Sequence, residues 1–138
     1  MSTRSLHNFY NDIESFEEGN PVATIYRHWD GYPSGAGVDI LNFIEACKEL
    51  PDSRSHDASY YSAKYVVFLS VLFGSSEHYT DNPLDFLSVG IQQPEKLEDS
   101  WCEYQYDFIC DGNPTVYVTG YDLDKVKLED LQKIGALS

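Results

Sequence analysis

The chain has 138 residues, enough for one domain with a real core, and its hydrophobic content of 42% with 14% aromatics excludes a disordered chain. Nine basic residues stand against 23 acidic ones, a net charge of −14, which is outside the range of about 2–8 usual for a small domain. Such a surface repels nucleic acid and anionic membranes and attracts basic protein surfaces at long range, so direct nucleic-acid binding and membrane association are not expected.

The acidity is spread through the fold: residues 1–50 carry −5, residues 51–100 another −5, and residues 101–138 carry −4. Residues 77–111 are the extreme, with nine acids against Lys96. The longest apolar run, "AKYVVFLSVLFG" at 63–74, has the length of a buried helix rather than a membrane span. "MSTRSLHNFYNDIESFEE" lacks the apolar centre of a signal peptide. Cys47, Cys102 and Cys110 are an odd number without metal-ligand spacing and read as reduced thiols in a cytosolic protein.

In chain order, the pattern predicts a short helix over Tyr10–Glu18, closed by Gly19-Asn20, and a strand over Val22–Trp29 rich in β-formers. "DGYPSGAG" is a loop that launches a helix over Val38–Leu50, with Leu41, Ile44 and Cys47 in its apolar stripe and Pro51 as its stop. Asp57 is placed to cap a second helix running to Phe73, with Tyr61, Tyr65, Phe68 and Leu72 on one face and its other sides mostly apolar, as in a centrally packed helix. A short strand is predicted at 85–91. "WCEYQYDFIC" (101–110) is the clearest strand, with Cys102, Tyr104, Tyr106, Phe108 and Cys110 on one face and Glu103, Gln105 and Asp107 on the other. "DGNP" turns it into an antiparallel strand at 115–121, and "DKVKLEDLQKIG" closes the chain as a helix ended by Gly135. The expected fold is α+β: one domain over residues 1–138, a small mostly antiparallel sheet with two or three helices packed on one face.

Two places carry candidate chemistry. In "IYRHWDGYP" strand alternation puts His28 on the face of Tyr26 and Asp30, a geometry suited to a base and its orienting carboxylate or to half of a metal site, although no nucleophile elbow surrounds Ser34. The competing reading is a turn, with Asp30 bonding local backbone, Gly31 reversing the chain and Trp29 and Tyr32 as packing. The second place is the acidic, tyrosine-rich C-terminal half. Glu103 and Asp107 share a strand face roughly 13 Å apart, and with Glu98, Asp99 and Asp111 they form a row of negative charge, with Trp101, Tyr104 and Tyr106 as aromatic anchors. Such a row mimics the phosphate track gripped by nucleic-acid-binding proteins.

Other signals are weak. His78 precedes "YTDNPLD", where Asp81 and Asp85 suggest a divalent-metal loop, but the glycine and ordered oxygen ligands of an EF-hand are absent, so a cap or turn is expected and no metal. "GYPSGAG" has spaced glycines before a helix, yet the chain has no Walker-type loop, and no cofactor is expected.

The octet Tyr26–Pro33, with the later "EYQYDF", resembles a family of small proteins of bacteriophages, prophages and bacteria that carry a Tyr-x-His-Trp-Asp-Gly-Tyr-Pro motif. That resemblance implies a bacterial cytosolic setting, supplies no catalytic residues, and fits small acidic proteins acting against host defence. The sequence thus leads to a non-enzymatic protein occupying the basic, nucleic-acid-binding surface of a host protein, an anti-CRISPR-like inhibitor by mimicry. The rival is a small-ligand module or minor hydrolase centred on Tyr26, His28, Trp29, Asp30 and Tyr32. A third reading is a scaffold subunit of a phage particle.

Overall fold

A computed structural model describes residues 3–74, 82, 84 and 88–137. The fold is α+β, built on one six-stranded, mostly antiparallel sheet. Its strands are β1 (Ser5–Tyr10), β2 (Ala23–Arg27), β3 (Val89–Gln92), β4 (Tyr104–Ile109), β5 (Thr115–Gly120) and β6 (Leu123–Lys127), in the order β3-β2-β1-β4-β5-β6. Every neighbouring pair is antiparallel except β1 and β4, which run parallel at the centre. The helices are α1 (Ile13–Glu18), α2 (Val38–Lys48), α3 (Ala58–Gly74) and α4 (Leu128–Lys133).

Three helices share one face of the sheet. Phe9, Ile25, Tyr106, Phe108, Val116 and Val118 meet Ile40, Phe43 and Ile44 of α2, Tyr61, Tyr65 and Leu69 of α3, and Leu128 and Leu131 of α4. Aromatic contacts join the layers: the Phe9 and Phe108 rings stack at 4.2 Å, and Phe43 lies edge-on to Tyr65 at 5.1 Å. The short α1 lies on the opposite face, where Phe16 packs edge-on to Tyr10 and stacks on Tyr117.

The caps follow the sequence chemistry. Asp57 accepts from the amides of Ser59 and Tyr60 at the start of α3, as expected of an N-cap. Gly19 ends α1 in the left-handed conformation, with φ at 72°. The N-terminus of α1 differs from its expected place: it begins at Ile13, because Asp12 accepts the amide of Ser15 and caps there.

Two strands escape the sequence pattern. Ser5–Tyr10 is β1, buried along its whole length, and Leu123–Lys127 is β6 where the closing helix was expected to begin. The α3 helix is also less enclosed than its composition implies: Val67 and Val71 are 63% and 68% exposed. Of the predicted 85–91 strand, 89–91 lies within β3, while 85–87 lies outside the described residues, as do His78, Asp81 and Asp85 of the weak metal loop. Among the described residues no helix is long and apolar enough to cross a membrane.

Candidate functional site

The histidine–tryptophan–aspartate segment forms the junction from β2 to α2. Arg27, the last residue of β2, turns into the helix-covered face, where its Nε donates to the Trp29 carbonyl at 2.8 Å and its Nη2 pairs with Asp39 of α2 at 2.8 Å. Burial raises the Asp39 carboxyl above its ordinary value despite the arginine beside it. Asp30 then adopts a positive φ of 54°, and its carbonyl accepts from the Ala36 amide at 2.8 Å, which closes the loop. Gly31 is pressed against the start of β1: a Cβ there would come within 2.9 Å of the Arg4 carbonyl carbon and of Ser5 Cβ. Its amide donates to Thr3, and its carbonyl accepts from the buried Tyr106 hydroxyl at 2.7 Å.

The side chains of this segment bond mainly to one another. The Tyr26 hydroxyl meets His28 Nδ1 at 2.6 Å, and the Tyr32 hydroxyl donates to Asp30 Oδ1 at 3.0 Å, a bond that raises the Tyr32 hydroxyl above its ordinary value. Trp29, half exposed, donates its indole N–H to Ser88 Oγ. Alternation carries Tyr26 and His28 to one face, as expected, and ends before Asp30, whose positive φ turns the chain. His28 and Asp30 therefore each take a tyrosine hydroxyl.

Beneath this junction lies a second histidine that the sequence did not single out. His7 of β1 has no exposed surface; its Nε2 meets Ser5 Oγ at 2.7 Å and its Nδ1 meets the Tyr65 hydroxyl at 2.8 Å. Burial, then the nearby Arg27 charge, hold its pKa well below the usual imidazole value. The ring is thus neutral, with one nitrogen donating and the other accepting, and it fastens the sheet to α3.

The acidic row is only partly a surface. The strand faces are as expected, with Tyr104 and Tyr106 on the helix-covered side and Gln105 and Asp107 on the other. Tyr106 is a core residue and Asp107 is wholly buried, so neither reaches a partner. Glu103 is half-buried and accepts the Arg4 amide at 2.7 Å; Tyr104 is half-buried against the core, edge-on to Tyr121. Asp111 is exposed but lies beyond the far end of β4, accepting the Asn113 amide. Glu98, Asp99 and Trp101 remain exposed together, Trp101 at 85%. The outer face of β4 is covered because α1 lies on it, with Phe16 packed on Tyr10 and on Tyr117, the β5 partner of Asp107, while residues 94–98 border the space above Asn8 and Gln105.

The residues that the sequence reading missed surround Asp107. Register aligns Thr24, Asn8 and Asp107 across β2, β1 and β4. Thr24 Oγ1 donates to Asn8 Oδ1 at 2.7 Å, and Asn8 Nδ2 donates to Asp107 Oδ1 at 3.1 Å. Gln105 Nε2 reaches both carboxylate oxygens, at 3.2 and 3.0 Å, and the Tyr10 hydroxyl bonds to the same group. Burial raises the Asp107 carboxyl, and these donors oppose the shift. Above the row opens a cavity of about 330 Å³ between Gly19-Pro21 and residues 94–98, floored by Asn8, Tyr10, Gln105 and Thr119. An adjoining cavity of about 400 Å³ has Arg4, Leu6, Tyr26 and Trp101 in its walls, and Glu95 borders both.

Among the described residues no cluster of three or more His, Cys, Asp or Glu has the arrangement to hold a metal ion. No family model, curated protein or solved structure matches the chain.

Proposed function

We propose that this protein is a non-enzymatic binding protein that occupies a basic, nucleic-acid-binding surface of another protein, of the kind presented by a phage-encoded inhibitor of a host defence nuclease. The observation that carries the reading is the way the fold gathers acids distant in sequence. Asp12, Glu14, Glu17 and Glu18 of the α1 region and Glu95, Glu98 and Asp99 are exposed, and Gly19 and Glu98 border one cavity, so both acidic stretches flank the same side of the sheet. The four ion pairs among the described residues engage Asp39, Glu45, Asp52 and Asp130, none of these seven. The exposed Trp101 beside them supplies an aromatic anchor. The partner surface is therefore centred on Glu98, Asp99 and Trp101, flanked by α1.

The test is capture from a bacterial lysate on immobilised protein, elution by a salt gradient, and competition of the eluted protein for labelled duplex DNA. The expected result is a basic nucleic-acid-binding protein whose DNA complex is displaced by this chain, with affinity falling steeply as salt rises. A double variant Glu98→Gln, Asp99→Asn should weaken displacement and flatten the salt dependence. Capture that is insensitive to salt and to the double variant would overturn the proposal.

A further inference from the structure

We propose that the 400 Å³ cavity beside Trp101 binds a small zwitterion of the α-amino acid class with an apolar or aromatic side chain. The volume lies in the range of about 300–1,000 Å³ typical of small-ligand sites. Its walls combine two opposite charges, Arg4 and Glu95, with three apolar surfaces, Leu6, Tyr26 and Trp101.

The charges are the informative part. Arg4 and Glu95 border one cavity and both lie close enough to the Cys102 thiol to act on it, yet the ion pairs among the described residues include neither. Arg4 Nε is buried and has no hydrogen-bond partner. The enclosed Nε is out of a ligand's reach, but no ion pair among the described residues engages the rest of the guanidinium, and a carboxylate is the acceptor whose planar geometry suits its outer N–H groups. Glu95 is engaged only by a long contact from Gln92 Nε2, at 3.3 Å, which leaves it able to accept from an ammonium group. A ligand that carries both groups satisfies both walls at once, whereas a simple anion or cation satisfies one and is repelled by the other.

The aromatic walls set the remainder. Trp101 is 85% exposed, so its ring is available as an apolar wall for a ligand to cover. An apolar side chain lying between Trp101, Tyr26 and Leu6 provides that cover. The site shares Trp101 and Glu95 with the proposed partner surface and adds Arg4, Leu6 and Tyr26, and its test uses free amino acids with no partner protein present, so the two readings fail separately.

The experiment is calorimetric titration of the full chain with L-phenylalanine, L-leucine and L-methionine, then with L-phenylalaninamide and 3-phenylpropionate, which lack the carboxylate and the ammonium group respectively. In a Trp29→Phe background, indole fluorescence reports Trp101 alone. The expected result is binding of the amino acid with a change in Trp101 emission, weakened at least about tenfold in each analogue. Arg4→Gln should erase the preference for phenylalanine over its amide, and Glu95→Gln the preference over phenylpropionate. No binding of the three amino acids up to about 10 mM, a range that detects even weak sites, would overturn the proposal. So would equal binding of the analogues by the unaltered protein, a comparison that needs no variant to fold.

Discussion

Removing one oxygen tests the structural role assigned to the turn after β2. In Tyr106→Phe the ring stays in the core, so apolar burial is preserved, and the only group lost is the hydroxyl that donates to the Gly31 carbonyl at 2.7 Å. Both residues are buried, so the carbonyl is left without that donor in a place water does not readily reach. A neutral hydrogen bond contributes about 0.5–1.5 kcal/mol, and a buried unsatisfied acceptor adds a penalty of about 1–3 kcal/mol. The expected destabilisation is therefore about 1–3 kcal/mol, read by urea denaturation followed by far-ultraviolet circular dichroism, with an unchanged dependence on urea concentration. Amide exchange should localise the damage: Gly31 N–H, held by Thr3, and Ala36 N–H, held by Asp30, should exchange faster while the β4–β5 ladder keeps its rank order. Tyr104→Phe, at a half-buried ring, serves as the control and should cost less than about 0.5 kcal/mol. A Tyr106→Phe protein with unchanged stability and unchanged exchange at Gly31 and Ala36 would refute the view that β4 anchors this turn.

Gly31→Ala attacks the same junction sterically, because its Cβ would meet the backbone of Arg4; a loss of about 1–3 kcal/mol is expected in the same assay. His7 has a folded pKa below the ordinary 6.5, so the unfolded chain takes up the proton first and stability is lost as pH falls below that value. Relative to His7→Gln, the native chain should lose up to about 1.4 kcal/mol per pH unit below about pH 6, measured by urea titrations across pH 5–7. Asp107 has the opposite sign: its folded pKa is raised above 3.8, so its contribution is greatest at low pH and is lost as pH rises through the folded value. Asp107→Asn should therefore gain on the native chain as pH rises from 3.8 towards neutrality, while Asp107→Ala, which strands the donors of Asn8, Gln105 and Tyr10, should lose about 1–3 kcal/mol throughout.

The α+β class was readable because the elements that define it have one-sided burial. Residues 104–110 alternate, and α2 carries Ile40, Phe43, Ile44 and Cys47 at helical spacing. The β1 strand was not readable, since it lies at the centre of the sheet with both faces covered. His7 and Phe9 look toward the helices, while Leu6, Asn8 and Tyr10 look the other way, and all are buried. A strand enclosed on both sides shows no alternation, and its three polar residues, Ser5, His7 and Asn8, left it without a strand pattern. Missing it hid the rest. Without β1, Asp107 reads as a solvated carboxylate in an outward row; with it, Asn8 bonds the carboxylate, and Tyr10 of β1 under Phe16 of α1 helps to enclose it. The Thr24–Asn8–Asp107 row joins residues 16 and 99 positions apart, a relation set by strand register and absent from any local window.

That polar row has a physical consequence for how the chain selects this register. The β1–β4 pair is parallel, central and closed by residues nearly a hundred positions apart, so no tight turn sets its alignment. Apolar contact alone discriminates poorly along β1, because a two-residue slide keeps every side chain on its original face and exchanges one buried residue for another. Hydrogen bonding discriminates well. Only the observed alignment brings Asn8 between Thr24 and Asp107, and a slide in either direction puts Leu6 or Tyr10 opposite Asp107 and leaves a buried carboxylate short of a donor. The cost of that loss, about 1–3 kcal/mol or more for a charged group, is comparable to the advantage a core needs over its nearest competitor. Asp107 is thus better understood as the group that fixes the central pair than as part of the acidic surface.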